Sequence, residues 1–446
     1  MTTYFSLAQL SNILDVEPLF DDRLSILQAS VIGIATDSRT VKAGEIFIAL
    51  VGDNFDGHNF VAAATEKGAI ALIVDRYVEA SIPQFIVKDT LEAYQKIARW
   101  WRNRLDIPVI GITGSVGKTS TKELVAAVLS IKGKVLKTEA NFNNEIGVPK
   151  TLLQITPEHD YAVIEMAMRG EGEIALLTHI ASPSIGIITN VGTAHIGRLG
   201  SREAIAKAKC ELLAHMPKSS VAILNYDNSL LIDTANKVWQ GKTITYGMSG
   251  GEIKGKLNGD CIEALGYSLP LPLPGEHNAS NYLAAVAVAK TLDIDLKALA
   301  LGIDIRLPKG RSRRYELPND IVVLDETYNA GLESMLAAVQ MLKQTPGKRH
   351  IAVLGTMKEL GDYSPQLHRQ VGEKVQELAL DMLLVLADEQ ATQEIAKGAT
   401  NITTECFSDR DSLTNKLKQI IQSGDRILCK ASNSVGLNLV VEDLVS

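Results

Sequence analysis

An apolar run that turns through glycines into a lysine-bearing helix constrains this chain more than any other feature. Pro108-Val-Ile-Gly111-Ile-Thr113 is followed by Gly114-Ser115-Val116-Gly117-Lys118-Thr119-Ser120-Thr121-Lys122-Glu123. The run has the pattern of a buried strand, and Leu124, Val125, Val128 and Leu129 predict an amphipathic helix after the turn. Such a turn aims backbone N–H groups and the positive end of a helix at one point, which suits phosphate oxygens. Lys118 can add a charge at the β- and γ-phosphates, and the Thr119 hydroxyl suits a position on Mg²⁺. The strict G-x-x-x-x-G-K-[ST] spacing is missed by one position, because five residues separate Gly111 from Gly117. An incidental glycine-rich turn would need neither the strand before it nor the helix after it, so ATP or GTP binding is the reading. No guanine-reading N-K-x-D motif and no HRD or DFG set is present, which argues against a GTPase or a protein kinase.

A phosphate loop of this kind belongs to a parallel sheet, and the rest of the chain supports one. Strand-like runs at 161–164, 185–189 and 221–225 are separated by helix-length stretches, the alternation of an α/β sheet covered on both faces. Further runs at 321–324, 351–354, 382–386 and 426–429 predict a second, Rossmann-like doubly wound domain. Before the loop, 44–50 and 68–74 read as strands with a helix at 60–67 between them. The fold class is therefore α/β in three domains. A small N-terminal substrate domain spans 1–105, a central ATPase-like parallel sheet 106–310, and a C-terminal domain 311–446. Trp100-Trp101 reads as packing within a helix rather than as a ligand platform. The stretch 269–275, rich in proline, reads as extended punctuation.

Composition narrows the function. Forty-six per cent hydrophobic and 22% charged residues describe an ordinary globular protein. A net charge of −7 argues against a general nucleic-acid surface. No apolar stretch approaches a bilayer span, and the N-terminus lacks the basic and small-residue marks of a signal peptide. The four cysteines, Cys210, Cys261, Cys406 and Cys429, show neither metal-ligand nor redox spacing. The expectation is a soluble intracellular enzyme.

Two carboxylate or imidazole candidates sit where ligands bind in open α/β sheets, at C-terminal strand ends. Glu165 follows the run 161–164, and Asn190 and His195 follow 185–189, so two adjacent strands would deliver Glu165 and His195 beside the phosphate loop. Glu165 and Thr119 offer the oxygen ligands that Mg²⁺ prefers. His195 is a less natural ligand and would act through a water. Lys207 and Lys209 lie on a predicted helix over 202–213, where the pattern alone reads as a solvated face. A lysine beside Mg²⁺ would be repelled.

Taken together these segments resemble the bacterial Mur ligases. The resemblance rests on Thr36-Asp37-Ser38-Arg39, Asp56-Gly57-His58, the phosphate loop, Thr138-Glu-Ala-Asn141-Phe-Asn143-Asn144, Arg169-Gly-Glu-Gly-Glu-Ile174 and Thr189-Asn-Val-Gly-Thr-Ala-His195. It continues through Ala208-Lys209-Cys-Glu-Leu, Gly275-Glu-His277-Asn278, Gly310-Arg311, Asp325-Glu-Thr-Tyr328-Asn329-Ala330, Leu354-Gly355-Thr-Met-Lys-Glu-Leu-Gly361 and Lys430-Ala-Ser432. It implies an ATP-dependent, ADP-forming amide ligase that works through an acyl phosphate. The Asn-rich 138–149 segment and Glu165-Met-Ala-Met-Arg-Gly-Glu-Gly-Glu-Ile174 favour the branch that adds D-alanyl-D-alanine to UDP-N-acetylmuramoyl-tripeptide, in the last cytoplasmic step of peptidoglycan precursor synthesis.

The resemblance also implies roles. Gly114, Ser115, Val116, Gly117, Lys118, Thr119 and Ser120 would hold the ATP phosphates, and Thr119 and Glu165 a magnesium ion. His195 would support a second magnesium, and Lys209 would be carbamylated and so anionic. Asn278 would meet adenine, and Arg311 and Asp325 would reach the nucleotide when the domains close. Ser38 and Arg39 would receive the uridine nucleotide, and Asn141, Asn143 and Asn144 the growing peptide. Tyr328 and Asn329 would serve the dipeptide side, and the enzyme would be a cytoplasmic monomer. Three departures from the family pattern fall in the C-terminal domain, at Gly331-Leu332, Thr356 and Asn433. Rival readings are a sister ligase that adds one amino acid, a folylpolyglutamate-type synthetase, and a nucleotide-binding regulator without catalysis. The Asp-Ser-Arg and Asp-Gly-His segments weigh against folate, and joint retention of Lys118, Glu165, His195 and Lys209 weighs against the regulator.

Overall fold

The computed structural model describes residues 5–20, 27–305 and 307–445. Three sheets carry most of the strands. In the N-terminal region Gly33–Ala35, Glu45–Ile48, Ala71–Val74 and Gln84–Ile86 pair in that order, all parallel. Helix Val61–Glu66 connects the second strand to the third, as the pattern predicts. Helix Thr90–Asn103 leads out of this sheet toward the next. Asp89 caps its N-terminus through bonds from the Leu91 and Glu92 N–H groups. The tryptophan pair near its end is packing: the Trp101 indole N–H donates to the Ile155 carbonyl at 2.9 Å, and Trp100 meets Phe5 edge-on.

The central sheet has seven parallel strands, in the order Val135–Lys137, Tyr161–Glu165, Val109–Thr113, Ile185–Ile188, Val221–Asn225, Lys242–Gly247, Ile253–Lys254. The strand feeding the phosphate loop lies inside the sheet. After it the chain crosses to the edge strand Val135–Lys137, returns through Tyr161–Glu165, and then continues on the other side. That reversal of direction opens a crevice at the C-terminal strand ends, the place where α/β sheets take ligands. One sequence expectation is corrected here. Tyr161–Glu165 and Ile185–Ile188 are not adjacent to each other; each flanks Val109–Thr113, so the loop sits between them.

The loop helix Lys118–Leu129 is also not amphipathic in place. Leu124, Val125, Val128 and Leu129 are fully buried, and Thr119 to Ala126 are buried as well. The reason is helix Glu276–Thr291, which packs on it with an almost continuous run of buried alanine, valine and leucine. An antiparallel meander, Lys256–Asn258, Cys261–Ala264 and Tyr267–Pro270, precedes that helix.

The C-terminal sheet runs Arg313–Leu317, Ile321–Asp325, Asp425–Lys430, Arg349–Gly355, Met382–Leu386, Thr403–Phe407, parallel except for the first strand. The four apolar runs read from the sequence are the four inner strands. The two edges, Arg-Arg-Tyr-Glu-Leu and Thr-Thr-Glu-Cys-Phe, escape the pattern because an edge strand is kept polar against further pairing. Among the described residues no helix is long and apolar enough to cross a membrane.

Candidate active site

The phosphate loop is held open from one side. Ser115 N–H donates to the Asn190 carbonyl at 3.1 Å and Val116 N–H to Asn190 Oδ1 at 3.0 Å. Thr189 Oγ1 and Asn190 Nδ2 both donate to the Val116 carbonyl, at 2.6 and 3.0 Å, and Gly192 N–H donates to Ser115 Oγ at 2.8 Å. The segment after strand Ile185–Ile188 thus fixes the loop's backbone, and its Thr189-Asn190 pair explains why those residues follow that strand. Gly114 and Gly117 have φ +153 and +81, which L side chains rarely adopt. A Cβ on Gly114 would run into Thr189 Oγ1, and one on Gly117 would lie 2.6 Å from Asn281 Oδ1. Gly111 lies within the strand Val109–Thr113. The loop proper therefore begins at Gly114, and as Gly114-Ser-Val-Gly117-Lys118-Thr119 it is shorter than the strict motif.

Lys118 hooks back over this loop, its ammonium donating to the Gly114 carbonyl at 2.8 Å. Desolvation lowers its pKa; Glu165 opposes this and Arg311 adds to it. Lys118 in turn acts on His195 and Lys209. The His195 imidazole is held below its ordinary pKa by desolvation, against the pull of Glu359 and with help from Lys118 and Lys209. Lys209 is 1% exposed, and loss of solvent pushes its amine well below the usual lysine range, with Lys118 adding to the effect. Lys118, Glu165, His195 and Lys209 therefore share one electrostatic neighbourhood. The solvated-face reading of the 202–213 pattern is overturned for Lys209. Helix Arg202–His215 buries it while Lys207, two positions earlier, points to solvent and pairs with Glu171 at 2.7 Å.

Glu165 closes strand Tyr161–Glu165 almost without exposure. Asn143 Nδ2 donates to its Oε1 at 2.9 Å, and Lys122 Nζ stands 4.0 Å from Oε2. Oε2 itself is buried with no hydrogen-bond partner. An orphaned, acceptor-only oxygen fits a hard cation, and the buried Thr119 in the first turn of the loop helix offers a hydroxyl of the same hard character, so Mg²⁺ has chemically suitable residues here. Among the described residues no three His, Cys, Asp or Glu side chains form a cage. Mg²⁺ needs none, since it retains waters and shares substrate phosphates. His195 adopts φ +66, an uncommon backbone conformation for a residue with a side chain, and its Nδ1 lies 2.5 Å from Glu359 of the C-terminal region.

The C-terminal region supplies a second bank of charge. Arg311 stacks on the Tyr328 ring at 3.9 Å, and its buried Nε has no hydrogen-bond partner. Lys430 donates to the Asn329 carbonyl at 2.8 Å, and desolvation lowers its pKa. Neighbouring Glu326 is pushed up by desolvation, against Lys430. Asp325 is buried and accepts from the Thr327 N–H and hydroxyl, at 3.1 and 2.6 Å. On the central side Asn278 is buried and ties back to the Pro274 carbonyl at 2.8 Å. His277, beside it, is brought down to about 4 by desolvation and then by Lys430.

Other sequence candidates lie apart from this centre or do local work. Asp37 and Arg39 form an exposed fork at 2.7 Å, which holds the Asp37 carboxyl at about 2 through hydrogen bonds from the Arg39 side chain and backbone; Ser38 sits between them. Asn144 Oδ1 accepts from Gly147 N–H at 2.9 Å at the start of helix Gly147–Leu152, and Asn141 is exposed. His58 of the Asp-Gly-His segment is buried between Asp56 and Asp75, bracing a turn. Of the departures, Thr356 is fully buried and bonded to Thr392 and Asp388, whereas Asn433 is exposed. Sequence reasoning missed Lys122, Glu333 and Glu359. Lys122 was visible one helical turn after Lys118. The two glutamates reach the site from another domain, and no local pattern marks them.

Comparison with known proteins agrees with this geometry. Three family models match, described as the Mur ligase family catalytic domain over residues 30–102, the Mur ligase middle domain over 112–289 and the Mur ligase glutamate ligase domain over 310–433. A UDP-N-acetylmuramoyl-tripeptide--D-alanyl-D-alanine ligase of Synechocystis is 59% identical over 416 residues, covering 93% of this chain and 92% of the relative. A crystal structure of MurF from Acinetobacter baumannii superposes with a TM-score of 0.90 at 32% identity, covering 99% of this chain and 98% of that one. MurF ligase from Thermotoga maritima in complex with ADP gives 0.83 at 30% identity, covering 92% and 96%. With its phosphate loop, its two banks of charge and these relatives, the chain belongs to the Mur ligase family.

Proposed function

We propose that this chain adds D-alanyl-D-alanine to UDP-N-acetylmuramoyl-tripeptide, with ATP converted to ADP and phosphate. The observation that carries the reading is the grouping of Lys118, Glu165, His195 and Lys209 beside an over-determined phosphate loop, in a chain 59% identical to a ligase of that name. Its three units divide near residues 105 and 310.

A carboxylate is a poor electrophile. In this reading the terminal carboxylate of the tripeptide attacks the γ-phosphorus of ATP, ADP leaves, and an acyl phosphate forms. The amine of the dipeptide then attacks the acyl carbon, loses a proton, and the tetrahedral intermediate expels phosphate. Loop residues 114–120 hold the phosphates, and Lys118 stabilises the charge that develops at the transferring group. Thr119 and Glu165 would hold magnesium and His195 would support a second ion; such ions would neutralise phosphate charge. Asn278 faces adenine, while Ser38 and Arg39 take the uridine nucleotide. Asn141, Asn143 and Asn144 lie along the peptide, with Asn143 already bonded to Glu165. Arg311 and Asp325 approach the nucleotide from the C-terminal side, and Tyr328 and Asn329 border the dipeptide. The docked domains keep water from the acyl phosphate.

Lys209 is the residue whose chemistry most needs this reading. Loss of solvent favours the neutral, nucleophilic form of the Lys209 amine, the form that can add to CO₂ and lose a proton to become a carbamate. An anion there would relieve the repulsion from Lys118.

Phosphate release from ATP and Mg²⁺ with UDP-N-acetylmuramoyl-tripeptide, comparing D-alanyl-D-alanine with single amino acids, tests the proposal. Release that depends on the dipeptide, with a pentapeptide product by mass, is expected. Release with a single amino acid on a shorter precursor would assign a sister branch, and ATP binding without release would assign a regulator.

A further inference from the structure

The mechanism above leaves unexplained what holds the turn that carries His195. Residues 191–195 follow strand Ile185–Ile188 and end in the left-handed backbone of His195. The central region holds the start of this turn, where the Val191 carbonyl accepts from Asn228 Nδ2 at 3.0 Å and Gly192 N–H donates to Ser115 Oγ at 2.8 Å, but the Thr193 N–H and hydroxyl are held from elsewhere. The grip on Thr193 comes from the other domain. Glu333, in the first turn of helix Leu332–Gln344, accepts from Thr193 N–H at 2.7 Å through Oε1 and from Thr193 Oγ1 at 3.2 Å through Oε2. Its carboxylate lies so close to the turn that a Cβ on Gly192 would strike it.

An acid in the first turn of a helix ordinarily serves the helix's own dipole. Here both oxygens are spent on one residue 140 positions away in sequence. The contact also has company. Glu359 reaches His195, Gly197 N–H donates to the Glu359 carbonyl at 3.3 Å, and Tyr363 OH donates to the Gly200 carbonyl at 2.8 Å. The C-terminal domain is therefore seated along the whole of 192–200, and Glu333 is the part of that seat nearest the phosphate loop, since Gly192 N–H is itself bonded to Ser115 Oγ.

We propose that Glu333 is a positioning residue for the ligase reaction: its two-point hold on Thr193 sets the Gly192–His195 turn, and through it the loop and the imidazole, only while the C-terminal domain is docked. The inference rests on the function proposed above. It makes the dipeptide-bearing domain a condition for a correctly arranged phosphate site, through hydrogen-bond geometry rather than through the carboxylate's charge.

The test uses the full-length enzyme, assayed with all three substrates, together with binding of a non-hydrolysable ATP analogue. Dipeptide-dependent turnover by the unaltered enzyme establishes the underlying reading independently. Glu333→Ala is then expected to lower kcat by about 10²-fold, the scale of an ångström-sized misplacement, with analogue affinity and the thermal midpoint little changed. Glu333→Gln can still accept from the Thr193 N–H and meet the hydroxyl, so it should recover most of that loss. Thr193→Val removes one arm and should be non-additive with Glu333→Ala in a double-mutant cycle. Unchanged kcat in Glu333→Ala would overturn the proposal. So would a Gln variant as slow as the Ala variant, which would point to charge, or an additive cycle, which would show that the two residues act separately.

Discussion

The Asp37–Arg39 edge of the N-terminal sheet and the Lys118–Lys209 floor of the central crevice both carry the charges of a binding protein, and they satisfy them in opposite ways. At the edge the Arg39 fork closes on Asp37 within three residues, in water. Each charge has a partner, and solvent screens both. In the crevice Lys118, Lys209 and His195 act on one another, and the Glu165 carboxylate that draws on Lys118 has one oxygen left without a hydrogen bond. Unpaired buried charge is costly. A fold keeps it where a ligand of opposite charge completes the set, and here the loop geometry says that ligand is a phosphate chain. The edge can be altered with little consequence for the chemical step; the crevice cannot.

Removing the central charge breaks the contrast most completely. Lys118→Ala is expected to lower turnover by about 10³-fold or more, since the proposed function places Lys118 on the transferring phosphoryl. The loop should survive, because Thr189 and Asn190 hold it rather than the lysine. Phosphate release and circular dichroism, measured side by side, check both halves. Near-normal turnover in this variant would remove the phosphate-loop assignment.

Lys209→Arg asks whether the buried Lys209 amine does chemistry or only packs. Arginine keeps a positive charge and cannot form the carbamate. A loss of about 10²-fold in kcat is expected, in the range seen when the support of a metal site is removed. With carbon-labelled bicarbonate, the unaltered enzyme should show a carbamate resonance that the variant lacks. A fully active Arg variant would mean that the buried amine does no chemistry.

Most of the architecture could be read from the sequence, and the reason lies in burial. Inner strands such as Ile351 to Leu354 and Met382 to Leu386 are apolar on both faces, so they announce themselves as continuous runs. The edge strands Arg313–Leu317 and Thr403–Phe407, half open to water, do not. Lys118, Thr119 and Glu165 were legible because loop and strand end fix their surroundings locally. Lys209 was not, since two positions along the helix, a rotation of about 200°, separate Lys207 in water from Lys209 in the core, and periodicity through interspersed alanines cannot tell them apart. Glu333 and Glu359 were invisible for a different reason: their roles exist only where two domains meet, and no local spacing records that.

His277 gives the comparison a pH axis. Its folded pKa of about 4 lies below the ordinary 6.5, because desolvation disfavours the imidazolium and Lys430 repels it. Between those values the unfolded chain binds the proton and the folded chain does not. The contribution to stability is therefore intact above pH 6.5 and lost as pH falls toward 4, by at most about 3 kcal/mol. Urea midpoints at several pH values should show this slope in the unaltered protein and a shallower one in His277→Gln. Asp37, held at about 2 against an ordinary 3.8, is ionised in both states over most of the same interval and should add little slope there.

The smallest effect belongs to the edge itself. Arg39→Ala frees an Asp37 carboxylate that already stands in water, so unfolding should be unchanged within error. If Ser38 and Arg39 receive the uridine nucleotide, the loss appears elsewhere, as a rise of about tenfold in KM for the UDP-linked substrate, the size of one charge-assisted hydrogen bond. The KM for ATP and the kcat at saturation should not move, because the side chain makes no contact with the crevice and binds ground state and transition state alike. A change in kcat instead would join the edge to the catalytic machinery. An unchanged KM for every substrate would leave the Asp37–Arg39 fork as a brace for its own turn, which Thr40 already closes by donating to the Asp37 carbonyl at 3.0 Å, and the uridine contact would have to be sought on another face of the N-terminal sheet.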